Sequence, residues 1–137
     1  MSPTIFEGRF FSFFNDDGTG KVTQRLAVVD ANIDPTFLPG SGGDWVLGDT
    51  YALKSGGVKG DRDGFQHLFL FHRPSRLFVP LAKLKNTAPK GIFRVDLHAR
   101  TTRDGRTVSI DSSYEGLGRQ MYLVDIGHIL DKPPMKK

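Results

Sequence analysis

Two segments of this chain interleave phenylalanine with cationic side chains. Such residue types suit single-stranded nucleic acid, where rings stack on bases and cations meet phosphates, and they equally suit one half of an ordinary core. Nine of the 11 Phe residues lie in Ile5–Phe14 and Phe65–Phe78. If these segments are strands, successive side chains point to opposite faces. The second then presents His67, Phe69, Phe71 and Arg73 on one face, and Gln66, Leu68, Leu70 and His72 on the other. The first sets Arg9, Phe11 and Phe13 opposite Phe6, Phe10 and Phe14. Small antiparallel sheets usually keep one face wet. The expectation is a stacking platform at Phe69 and Phe71, with Phe11 and Phe13 as a second. The alternative is that both faces are buried, by another sheet or by a dimer partner.

Arginines extend the pattern. The span Arg73–Arg106 holds nine basic residues against Asp96 and Asp104 alone. Residues 1–53 carry three basic and seven acidic side chains, and residues 54–137 carry 16 basic and eight acidic. The net charge of +4 therefore sits in the second part of the chain. Such a region raises the encounter rate with polyanions. Arg94, Arg100, Arg103 and Arg106 lie on a hairpin from Gly91 to Asp111, and an arginine-tipped arm can follow a phosphate backbone. With Arg9, Arg73 and Arg76 they form the expected phosphate-binding set. The same charges also serve to keep a hairpin soluble and free of edge-to-edge aggregation.

Other chemistries fit less well. Gly18-Thr19-Gly20-Lys21 superficially suggests a phosphate-binding P-loop. Asn15 stands where the first Gly is required, and Val22 where a Ser or Thr must reach magnesium. Asp61-Arg62-Asp63-Gly64 covers the middle of a calcium loop, but Lys59 occupies the first ligand position. With no cysteine there is neither a disulfide scaffold nor a thiolate site. His67 and His72 face opposite ways on one strand and cannot share an ion. Asp96, His98, Ser109 and Asp111 can be drawn as a hydrolytic set, yet no nucleophile elbow accompanies them. The expectation is a non-enzymatic protein without metal or other cofactor.

The elements that must position these residues read as strands throughout. No window keeps a 3.6-residue period, and 16 Gly and eight Pro punctuate the chain. Ile5–Phe14 and Lys21–Val29 form a hairpin about the turn Asn15–Gly20. Asp30–Asp44 reads as a loop. Trp45–Lys54, Phe65–Arg73 and Arg76–Leu84 read as strands, with Pro80 making the last an edge or a bulged one. Gly91–Ala99 alternates, with Phe93, Val95 and Leu97 inward, and Thr107–Asp111 returns after an Asp-Gly turn. Gln120–Leu130 is a final strand or a short helix. The expected fold is an all-β, single-domain antiparallel barrel or sandwich of about seven or eight strands over residues 1–130, possible as an oligonucleotide-binding (OB) barrel with extra strands. Residues 131–137 are expected to be a flexible basic tail.

Phe14-Asn15-Asp16-Asp17-Gly18 resembles the Phe-Asn…Gly turn of cold-shock domains, which are OB barrels. His67-Leu68-Phe69-Leu70-Phe71-His72 is similar in character to the second aromatic motif of that family. The two segments lie about 50 residues apart, wider than the family allows, and its Lys-Gly-Phe-Gly-Phe run is missing. What the resemblance implies is aromatic use of a barrel strand, not membership. The leading expectation is thus binding of single-stranded DNA or RNA, in preference to duplex. A protein–protein interaction module or inhibitor using the same aromatics is the alternative, and a small-molecule-binding barrel a third reading. A homodimer is the second partner considered. The N-terminus has no secretory pattern and no apolar run is of membrane-spanning length, so a cytoplasmic protein without membrane contact is expected.

Overall fold

A computed structural model describes residues 11–26, 33–52, 64–88 and 91–132. The described residues are all-β apart from one helical turn. Its strands are β1 (Phe11–Phe14), β2 (Val22–Leu26), β3 (Ile33–Phe37), β4 (Trp45–Thr50), β5 (Phe65–His72), β6 (Leu77–Lys85), β7 (Arg100–Thr101), β8 (Thr107–Ser112) and β9 (Gln120–Asp125), followed by α1 (Gly127–Leu130). They form three antiparallel sheets, a hairpin β1-β2, a central sheet β3-β4-β5-β6 and a sheet β7-β8-β9. Among the described residues these ladders do not close into a barrel.

The central sheet is covered on both faces. Toward the hairpin, Val46, Phe69, Phe71 and Ile33 pack with Phe13 and Leu26. Toward the other sheet, Trp45, Leu47, Leu68 and Leu70 pack with Leu97, Ala99, Val108, Ile110 and Ile126. β4 and β5 supply alternate residues to each core. A strand buried on both faces reads as a nearly continuous apolar run, and Leu68, Phe69, Leu70 and Phe71 make such a run within β5. Its Phe69 ring is 0% exposed and lies across Gly48, its partner on β4. A Cβ at Gly48 would fall 2.8 Å from Phe69 Cε2 and closer still to Cζ. Glycine inside this strand therefore provides the space that the ring fills.

The edges follow their sequences. Among the described residues β6 is an edge strand, carrying Pro80, and its pairing steps from Leu68↔Ala82 to Phe69↔Pro80, so Leu81 bulges out. Proline at an edge removes a donor that no neighbour needs. The same reasoning explains β3, found where a loop was expected. Pro35 had suggested a break, but β3 is an edge strand, so its proline is tolerated opposite Gly48.

Three further expectations need correction. Residues 91–99 make no regular ladder strand, because Arg94 N–H donates to Gly91 O in a turn and His98 takes φ 45°, a left-handed conformation that interrupts pairing. Val95 and Leu97 are buried as expected, but Phe93 is 79% exposed. The terminal segment is both a strand and a helical turn rather than one of them. Asp131, assigned to the tail, belongs to the fold. Its carboxylate accepts two hydrogen bonds from Arg106, at 2.8 and 2.7 Å. Among the described residues no helix is long and apolar enough to cross a membrane.

The Gly48–Phe69 contact generates a stability prediction. Gly48→Ala should destabilise by about 1–3 kcal/mol, the usual cost of overpacking, in denaturant unfolding. Adding Phe69→Leu should recover part of that loss, so the double-mutant cycle should be non-additive. Additive effects would show that ring and glycine do not constrain one another.

Candidate nucleic-acid interface

The structure places the expected stacking rings in the core. Phe69 is fully buried, Phe71 and Phe13 nearly so, and Phe13 stacks on Phe71 with centroids 6.5 Å apart. The exposed platform is therefore not formed, because the β1-β2 hairpin lies over the face that would have carried it. His67 is half-buried on the same face. Arg9 and the side chain of Phe11 lie outside the described residues.

A different aromatic surface replaces it. Phe14 and Phe37 are 58% and 52% exposed. They border a groove of about 350 Å³ between β1 and β3, completed by Ser12, Phe13, Pro35, Thr36 and Val46. Phe13 forms its floor and meets Phe37 at 6.2 Å between centroids, with the rings tilted. The lining is overwhelmingly apolar. Sequence reasoning missed both exposed rings. Alternation divides β1 into two faces without saying which is inward, and the face taken as the platform is the buried one. Phe37 stood alone in an apparent loop.

Arg73 joins this groove to a polar one. Its guanidinium lies 4.7 Å from the Phe13 centroid and 5.7 Å from that of Phe37. Nη1 donates to Gly43 O at 3.0 Å and Nε to Gln24 Oε1 at 3.3 Å. Gln24 Nε2 in turn donates to Arg73 O at 2.8 Å. This exchange ties β2 to the β5–β6 turn and fixes the arginine in place. A guanidinium has five N–H donors, so two of these bonds leave most of the fork for another partner. It lines a groove of about 330 Å³ with Thr23, Gln24, Asp44, Pro74 and Arg76. Arg76 is exposed at the end of the turn with φ 58°. A non-glycine residue in that region is strained.

Of the other expected arginines, Arg94 and Arg106 are held by carboxylates. Arg94 pairs with Asp96 at 2.6 Å and stands 5.3 Å from the Tyr51 ring centroid. Arg106 holds Asp131 in a forked pair and lies against Gly127. Arg100 donates to Ala99 O at 3.0 Å, while Arg103 is exposed at the β7–β8 turn. Among the described residues these side chains do not join Arg73 and Arg76 in the polar groove.

A carboxylate cluster lies on the opposite side of the central sheet. Asp49 is buried, accepts the Ala99 N–H at 2.8 Å, and pairs across strands with Asp34. Burial pushes its pKa up to about 6; the Ala99 N–H and His98 oppose this, while Asp34 adds to it. Tyr51 donates to Asp34 at 2.7 Å, and that bond raises the phenol to about 12. Among the described residues no three His, Asp or Glu side chains are arranged to hold a metal ion. No protein family, curated protein or solved structure matches the chain.

Asp49 carries a pH prediction. Its folded pKa is raised, so the neutral carboxyl is favoured in the fold. Its contribution is fully present below about pH 4 and is lost as pH rises through about 6. The difference amounts to roughly 3 kcal/mol at neutral pH. Asp49→Asn keeps an acceptor for Ala99 N–H and has no charge to bury. It should be more stable than the parent by up to that amount at pH 7, and equal to it near pH 3. Urea unfolding across this range checks the claim. Parallel stability curves would refute it.

Proposed function

We propose that this chain is a non-enzymatic protein that binds single-stranded nucleic acid without a cofactor. The observation that carries the reading is the junction at Arg73. An apolar groove bordered by two exposed rings meets a polar groove containing two arginines, and one guanidinium lines the second while stacking on rings of the first. That is the pairing of a base site with a phosphate site. Each groove is in the ~300–1,000 Å³ range of small-ligand sites. In this proposal a base enters between Phe14 and Phe37, and adjoining phosphates meet Arg73 and Arg76. Arg103 and the excess basic charge of residues 54–137 contribute by long-range attraction. The reading does not require an OB-like barrel.

One observation favours a second reading. The slot offers almost no polar group to read a base edge, and apolar pockets also receive an aromatic anchor from a protein partner. Salt separates the two, because phosphate contacts release counterions and weaken steeply with salt, whereas apolar anchoring does not.

Fluorescence anisotropy with labelled single-stranded DNA, single-stranded RNA and duplex DNA across a salt series tests the proposal. Micromolar or tighter binding to a single strand, weakening with salt, is expected. Base–aromatic stacking is worth about 1–3 kcal/mol per base, so Phe14→Ala with Phe37→Ala should weaken binding by about tenfold or more while the protein stays folded. Arg76→Gly relieves the positive φ, and should leave stability unchanged or raised while reducing the salt slope by about one. No binding at low salt would discard the reading in favour of a protein partner.

A further inference from the structure

Exposed sheet edges can pair with another chain, and proteins blunt them with proline, lysine, bulges or short length. The central sheet shows such devices at both edges. β6 carries Pro80, a bulge at Leu81, Lys83 and Lys85, and β3 is five residues long with Asp34 and Pro35. β7 is only two residues. β9 is different. Among the described residues it has a neighbour on one side only, and its six residues keep unbroken register with β8. It contains no proline and no lysine. Its outward residues Met121 and Leu123 are 72% and 70% exposed, while Tyr122 and Val124 pack inward.

The residues around this edge are complementary to themselves. The run is Arg119-Gln120-Met121-Tyr122-Leu123-Val124-Asp125. An antiparallel two-fold centred on Tyr122 sets Met121 opposite Leu123 of the second copy, and brings Arg119, in the bend one residue before β9, to its Asp125. Opposite charges and apolar pairs directly across an antiparallel ladder are the favourable combinations. Centring on Leu123 would instead set Met121 against Asp125. Both charged groups keep capacity for the new contact. Arg119 Nη2 donates to Arg94 O at 2.8 Å, leaving other N–H groups of the fork. Asp125 Oδ1 accepts Gly127 N–H at 2.8 Å, leaving its second oxygen. On the outer face Ser109 and Asp111 of β8 stand beside Leu123 and Met121.

We infer that β9 pairs with β9 of a second copy of this chain, antiparallel and centred on Tyr122, to join two three-stranded sheets into one of six strands. The contact is isologous, so it closes on itself. It lies on the side of the central sheet away from the Phe14–Phe37 groove and is independent of what that groove binds.

Sedimentation velocity of the full chain over a concentration series tests the inference. The expected result is a reversible monomer–dimer equilibrium. Leu123→Lys, at an exposed position that the fold does not need, should raise the dissociation constant at least tenfold with an unchanged circular dichroism spectrum. Arg119→Asp and Asp125→Arg should each do the same, by setting like charges opposite one another. Combining both reversals should restore the dimer, which loss of a merely structural contact would not do. A monomer at every concentration, or a dimer indifferent to Leu123→Lys, would overturn the inference.

Discussion

The burial of β5 on both faces is the constraint on which the other elements depend. With Phe69 and Phe71 facing one way and Leu68 and Leu70 the other, one covering layer is not enough. The hairpin supplies one layer and β7-β8-β9 with Ile126 the other. The register is narrowly set, because the Phe69 ring must lie over Gly48 and no neighbouring β4 position lacks a Cβ. A slip of one residue would also exchange the two faces of the strand. The position of Phe69 in turn orients Phe71 to stack on Phe13, and so seats the hairpin.

Charge is used more for assembly than the composition suggests. Arg106 fastens α1 through Asp131, and Arg94 is taken up by Asp96. Pairs at the surface add little to stability, commonly under about 1 kcal/mol, and here they set a carboxylate beside each of two arginines. Arg73 is the exception in geometry. Its stacking and its bonds to Gln24 and Gly43 hold it without placing a carboxylate on it. A cation fixed in position by neutral acceptors has little conformational entropy left to lose on meeting an anion.

Much of the fold was legible in the chain because period-two alternation and turn residues act locally. The first hairpin, the edge character forced by Pro80, and the Asp104-Gly105 turn all follow from a few neighbouring residues. β3 was not legible, since Pro35 argues against a strand unless its neighbours are known to lie on one side only. The irregular course of 91–99 depends on His98 adopting a left-handed conformation, for which its residue type gives no strong signal. The candidate site failed for a different reason. Alternation assigns residues to faces but cannot tell which face meets a second layer, so Phe69 and Phe71 were indistinguishable from a solvent-facing platform. Phe14 and Phe37 become neighbours only through the packing of β1 near β3, a tertiary fact.

That packing explains why an aromatic groove exists at all. Strands lie about 4.8 Å apart within a sheet, so a two-stranded hairpin spans roughly half the width of a four-stranded one. Among the described residues the hairpin sits over β4 and β5, where the core aromatics are, and its β1 side faces the margin at β3. Phe37 pairs with Val46 on that margin, with Phe13 reaching it from above and Arg73 closing one end. A full covering sheet would have buried Phe37, and a polar residue there would have left no slot. The groove is thus a consequence of unequal layers, and its aromatic character comes from core residues that continue to the edge of the layer covering them.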